Sequence, residues 1–220
     1  MSSVFDIIGP IMIGPSSSHT AGAARLGKMA RCIFDEPVER VTMTLYGSFA
    51  KTYKGHGTDR ALIAGLLGFG AEDVRIRQAF KEADEAGLQY EFVESAEPSD
   101  HPNVVRFDLY GHSGRHMSVL GRSLGGGRIL ITRIDGLEVE ITGDEHTIMT
   151  FHTDKPGVIA AVTTALSLQA INISSMRVFR KEKHSQAVML IHTDSEVSRD
   201  VLDSINAVSG IESVMYFKPL

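Results

Sequence analysis

Between residues 20 and 36 apolar side chains return every third or fourth position, with Leu26, Met29, Ala30 and Ile33 on one side and Pro37 closing the run. That period predicts a helix of about four turns. The period then drops to two. Val41, Met43 and Leu45 alternate with Thr42, Thr44 and Tyr46, so residues 38–48 read as a strand with one covered face. Residues from 49 onward read as a polar, glycine-bearing turn that feeds a second helix, its apolar stripe at Leu62, Ile63, Leu66 and Leu67. Residues 78–87 predict a third, short helix and 88–95 another strand. From 103 to 143 four β-rich runs follow, 103–111, 115–123, 125–136 and 137–143, separated by Gly, Ser and Asp.

Residues 1–143 are therefore expected to form an α+β domain, helices packed on a mostly antiparallel sheet. The remainder, 147–220, reads strand, helix, strand, strand, helix, strand, a ferredoxin-like βαββαβ order. Pro156 suits the first helical position there, with Asp154 as its cap, and "KEKH" at 181–184 is the hairpin tip. A unit of this kind leaves a sheet face or edge strand bare, so pairing with a second copy is expected.

Composition narrows the field. At 220 residues and 43% apolar, two modest domains each have enough material for a core. The net charge of −5 and the dispersal of 22 Lys and Arg residues give no basic groove, so nucleic acid is not an expected partner. No apolar run reaches the ~18 residues of a membrane span, and no basic-then-apolar leader opens the chain, so a cytoplasmic protein is expected. The single cysteine, Cys32, is spaced with Met29 and Ile33 on the apolar side and reads as a structural thiol. One thiolate cannot hold an iron–sulfur cluster or a structural zinc. His112 and His116 are four apart, but Gly114 and the β pattern argue against a helical metal pair, and no metal ligands are expected. "GGGR" at 125–128 precedes a strand and lacks the spacing of a dinucleotide fingerprint, which leaves a tight turn facing a ligand or an interface.

Two short runs stand out. "IGPSSSHT" at 13–20 follows an apolar segment (Val4, Ile7, Ile8, Ile11, Ile13) and opens the first helix, so linker composition fits it poorly. The bland reading is an N-cap with spare polar side chains. "KGHGTD" at 54–59 sets His56 between two glycines, either as a turn residue with Thr58 or Asp59 capping the next helix, or as part of a site to which Lys51 and Lys54 add positive charge.

Residues 147–220, through "HTDKPGVIAAV" and "INISSMRV", resemble the ACT domain, an amino-acid-sensing module. The resemblance implies an effector site between paired domains at Asp154, Gly157, Val158, Asn172 and Ile173; helix amides at Gly157 and Val158 suit a carboxylate, and the Asn172 amide both donates and accepts. A domain used for assembly alone is the alternative. The first domain, through "SVFDIIGPIMIGPSSSHTAGAARLG", "YGSFAKTYKGHGTDRALIAGLLG" and "GGGRILIT", resembles the β subunit of the iron–sulfur-dependent L-serine dehydratases built from separate α and β chains. That resemblance implies deamination of L-serine to pyruvate and ammonia, with a [4Fe–4S] cluster ligated by the α subunit and acting as a Lewis acid on the substrate.

What the resemblance leaves to this chain is binding and proton transfer. Ser16, Ser17, Ser18 and Thr20 sit where hydroxyls and free amides meet a helix's positive end, which suits a substrate carboxylate. Small residues at Ala21 and Gly22 would let a ligand approach, and Gly55, Gly57 and Thr58 complete the implied binding set. His19 is the first candidate for the base, or for holding one in place, and His56 the second. Alone, the chain is expected to be inactive; a contact between two copies through the ACT sheet plus one with the α subunit would give an α2β2 assembly, and the sequence leaves the stoichiometry open. Some phosphoglycerate dehydrogenases carry a related fold without catalysis, so a non-catalytic, allosteric amino-acid-binding module is the competing reading. A pyridoxal-phosphate lyase acting alone fits poorly, because no Ser-x-x-Lys setting lies beside a glycine-rich phosphate loop.

Overall fold

The computed structural model describes residues 11–180 and 182–220. Much of the apolar segment from Val4, and Lys181 of the expected hairpin tip, lie outside the described residues. The chain divides into two compact units, one running to residue 136 with 140–142, the other comprising 137–139 with 143 onward.

In the first unit a single π-type turn, Ser17–Ala21, runs into α1 (Gly22–Phe34), followed by β1 (Val38–Tyr46), α2 (Gly47–His56) and α3 (Thr58–Leu66). A 3-10 turn (Val74–Gln78), α4 (Ala79–Glu85) and the strands β2 (Gln89–Glu94), β3 (Asn103–Gly111), β4 (His116–Gly125) and β5 (Arg128–Ile134) follow, and β6 (Leu137–Ile141) has residues in both units. The sheet order is β2-β1-β3-β4-β5-β6, with β1 and β2 parallel and the β1–β3, β3–β4 and β4–β5 pairs antiparallel. Alternation decides which face is covered. Val105, Phe107 and Leu109 of β3 are fully buried under the helices, while Arg106, Asp108 and Tyr110 take the other face. Helix α1 packs on β4 and β5, and α2 on β1 and β3.

Helices α1 and α3 cross at glycines. A Cβ on Gly27 would meet the Leu62 carbonyl, and one on Gly65 the Ala24 carbonyl, so the backbones approach as closely as helices can.

One sequence expectation changes here. The segment read as a turn from residue 49 is helix α2, because Phe49, Ala50 and Tyr53 bury one side of it. Its glycines misled: Gly55 is helical, and only Gly57, at φ 69°, takes the left-handed conformation that ends α2 and starts α3. Cys32 is half-buried rather than buried, and burial pushes its thiol up.

The second unit adds β7 (His146–Thr153), α5 (Val158–Leu168), β8 (Ile173–Arg180), β9 (Gln186–Thr193), α6 (Arg199–Asn206) and β10 (Ile211–Phe217), in sheet order β10-β7-β9-β8 with every pair antiparallel. Ile148, Met189 and Ile191 of the sheet meet Val162, Leu166, Val201 and Ile205 of the helices in one core. Asp154 does not cap α5, which starts later with Gly157 as its N-cap. Its carboxylate instead accepts from the Arg180 guanidinium at 2.6 Å and the His184 amide at 3.2 Å.

The helix crossing generates a stability prediction. Gly65→Ala forces a methyl group onto the Ala24 carbonyl and costs about 1–3 kcal/mol; calorimetry should show an earlier unfolding transition, and an unchanged one would contradict the close crossing. Ala170, which follows α5 at φ 54°, is the opposite case. Ala170→Gly relieves a left-handed alanine and should raise stability by up to about 1 kcal/mol.

Candidate functional site

The site starts from a cap. Ser16 is extended (φ −138°, ψ 126°) and its hydroxyl accepts from the His19 amide at 3.2 Å, so the N-cap reading of the serine run is realised. The other polar groups do something else. The π-type turn that follows closes its hydrogen bonds over one residue more than an α-helix does, and His19 within it is 9% exposed. His19 Nδ1 lies 3.0 Å from Ser18 Oγ and 3.4 Å from Ser16 Oγ, and Nε2 lies 3.2 Å from Ser48 Oγ of α2. Its ring meets Phe49 edge-on at 5.2 Å and His56 at 4.8 Å with the planes 68° apart.

The loop is clamped from β4. Ser123, fully buried, donates its hydroxyl to the Ser18 carbonyl at 2.9 Å, and Gly126 N donates to Ser17 Oγ at 3.3 Å. A Cβ on Gly22 would meet Ser123 Oγ, so the small residue expected to admit a ligand instead admits a strand. The 125–127 glycines, all at positive φ, form the hairpin tip that makes this clamp within the chain.

Of the predicted residues, Ser16, Ser18 and His56 gather around His19, and Ser17 holds the hairpin tip. His56 ends α2, is exposed, and its ring nitrogens make no hydrogen bond among the described residues. Apart from their chain neighbours and the helix's own backbone, nothing among the described residues lies within 4 Å of where a Cβ would stand on Gly55 or Gly57, so among those residues that side of His56 is open. Thr20 and Thr58 are 2% and 0% exposed, and their hydroxyls have no partner among the described residues. Asp59 does not cap α3; its carboxylate accepts from Arg60 N at 2.8 Å, and burial pushes its pKa up. Lys51 and Lys54 are exposed on α2. Sequence reasoning missed Ser48 and Ser123. Ser48 closed the run read as a strand, and nothing in the strand pattern marks a buried serine such as Ser123 as a clamp.

The residues expected to hold an effector do not form one site within the chain. Asp154, Gly157 and Val158 follow the end of β7, while Asn172 and Ile173 open β8 level with His146 at its start, since both pair with Thr193. Seven residues of strand separate them, roughly 23 Å. Asn172 Nδ2 donates to Asp194 Oδ2 at 2.5 Å. The Arg180 guanidinium holds the Asp154 carboxyl below its usual range.

Among the described residues no three His, Cys, Asp or Glu side chains gather as a metal site, and no helix is long and apolar enough to cross a membrane. The serine dehydratase beta chain family profile matches residues 3–91, and the ACT domain profile residues 146–210. A probable L-serine dehydratase beta chain of Bacillus subtilis is 46% identical over 213 residues, 96% of each chain. The chain belongs to the L-serine dehydratase beta chain family. An L-serine dehydratase beta chain of Peptoniphilus asaccharolyticus is 36% identical over 215 residues, 97% of each chain. A D-3-phosphoglycerate dehydrogenase of Synechocystis is 28% identical over 197 residues, 89% of this chain and 35% of that one. The beta-chain profile covers both the His19 turn and the whole of α2, so the gathered cluster falls inside the stretch that defines the family.

Burial, with the charge of His56 adding to it, lowers the pKa of His19; burial also lowers that of His152, a 2% exposed residue of β7. The unfolded chain binds protons at both positions near pH 6.5, where the folded chain does not. Their contribution to stability is therefore full above about pH 6.5 and is lost as the pH falls below it. Urea midpoints between about pH 7.5 and 5 should fall less for His152→Gln than for the wild type. Parallel curves would contradict a buried neutral imidazole.

Proposed function

We propose that this chain is the beta subunit of an L-serine dehydratase and contributes part of an active site that a companion alpha subunit completes. One observation carries the reading: in a beta-chain family member, two histidines from separate motifs stand 4.8 Å apart among the hydroxyls at the start of α1. The reaction removes the Cα proton and the β-hydroxyl of L-serine as water. The aminoacrylate that remains tautomerises to an imine, and water hydrolyses it to pyruvate and ammonia.

Roles divide by exposure. His19 has both nitrogens against serine hydroxyls and is buried, so it orients its neighbours. His56 is exposed beside two glycines and its nitrogens are unpaired among the described residues, so it exchanges the proton with substrate. The Ser16–Ser18 turn, at the head of α1, favours the substrate carboxylate. The [4Fe–4S] cluster of the proposed enzyme does not fit this chain, whose one cysteine is half-buried with a raised pKa, and it is assigned to the alpha subunit. A cytoplasmic setting belongs to the same reading.

The second unit is proposed to assemble and regulate. Strand β8 ends the sheet with Met176 and Val178 exposed, and α5 also exposes Ile159 and Leu168. Because Asp154–Val158 and Asn172 stand at opposite ends of one sheet, only a second copy can bring them to a shared effector. The competing reading, a non-catalytic amino-acid-binding module, is favoured by the similarity to phosphoglycerate dehydrogenase along most of the chain.

Two experiments test this. In anaerobic, iron-replete complex with the alpha partner, His56→Asn should lower kcat for pyruvate formation by about 10²–10⁴, and His19→Asn should also lower it; full activity in both variants overturns the catalytic reading. Val178→Lys should lower the sedimentation mass of the isolated chain, and an unchanged mass rejects β8 as the assembly edge.

A further inference from the structure

Ser48 stands apart from the residues that either motif put forward, yet it is fixed on three sides. Its amide donates to the Pro102 carbonyl at 2.6 Å, its own carbonyl accepts from Thr52 Oγ1 at 2.8 Å, and the preceding Gly47 bridges to Asn103. Ser48, Thr52 and His56 follow one another at four-residue intervals along α2, so they share a stripe of that helix. The same rigid element therefore presents a hydroxyl to one nitrogen of His19 and an imidazole to its ring.

We propose that Ser48 is a positioning residue of the site, holding His19 as the Nε2–H tautomer with its ring edge toward His56; this rests on the dehydratase reading only for its kinetic consequence. In the proposed arrangement the hydroxyls on the other side point their protons toward Nδ1. Ser16 Oγ accepts from the His19 amide and lies 3.3 Å from Ser18 Oγ and 3.4 Å from Nδ1. Ser18 Oγ, 3.0 Å from Nδ1, is assigned as its donor. With Nδ1 an acceptor, a neutral His19 carries its proton on Nε2 and donates it to Ser48 Oγ. Hydroxyl chains of this kind strengthen along their length, and in a largely buried site they select one tautomer. The elements around the ring carry Lys51, Tyr53, Lys54 and His56 on α2, Asp59 and Arg60 on α3, Arg25, Lys28, Arg31 and Cys32 on α1, and His116 and Arg122 on β4; of these His56 stacks edge-on against it at 4.8 Å.

The test has two readouts. Long-range proton–nitrogen NMR on the isolated full chain, at about pH 8 where imidazole is neutral, with His19 assigned from His19→Asn, should show a protonated Nε2 and a bare Nδ1. Ser48→Ala should shift or average those signals, and Ser48→Thr should restore them. In the reconstituted enzyme Ser48→Ala should lower kcat about five- to tenfold with KM held within about twofold, and Ser48→Thr should recover most of it. A wild-type His19 protonated on Nδ1, ring signals unmoved by Ser48→Ala, or a Ser48→Thr variant no better than alanine overturns the proposal. The NMR readout uses no substrate, so its failure is separate from a failure of the dehydratase reading, which the His56→Asn kinetics report.

Discussion

A buried neutral imidazole has one donor and one acceptor, and leaving either without a partner costs more than the hydrogen bond would contribute. That constraint on His19 organises the first unit. It requires hydroxyls on opposite sides of one ring, and the chain supplies them from two segments, Ser18 in the turn before α1 and Ser48, 29 residues beyond His19, at the start of α2. To bring those segments together, α2 and α3 must fold back against α1, and the glycine crossing of α1 and α3 permits it. The cap at Ser16, the Ser123 hydroxyl and the Gly126 amide then hold the turn against the sheet. What remains exposed is His56, reached from the open side of Gly55 and Gly57.

Much of this was legible in the sequence, and for identifiable reasons. Strand β3 alternates from Val105 to Gly111, and the expectation matches its bounds. The βαββαβ order of the last third follows from period changes bounded by Gly, Pro and Ser. Helix α2 was not legible. It is short, its apolar residues number few, and Gly55 and Gly57 imitate a turn; only tertiary burial of Phe49 and Tyr53 shows that the segment is helical. The α5 cap misled for a different reason. Asp154 and Pro156 have the right identities for a helix start, but a cross-strand arginine competes for the carboxylate and wins.

The candidate site was legible as two runs but not as one cluster. Local sequence places His19 at a helix start and His56 beside glycines, and says nothing of their distance from each other. Their meeting depends on a long-range crossing, as does the recruitment of Ser48 and Ser123. Gly22 shows the converse: smallness in a sequence marks close approach without saying by what, and here it is β4 that approaches.

On the function proposed above, half a reaction centre is built here and finished by another polypeptide. The most direct measurement is pyruvate formation from L-serine, under anaerobic and iron-replete conditions, by the purified chain, by the alpha partner, and by the two combined. The account predicts turnover in the combination and none in either part. Turnover by this chain alone, free of iron and of any second polypeptide, would contradict it.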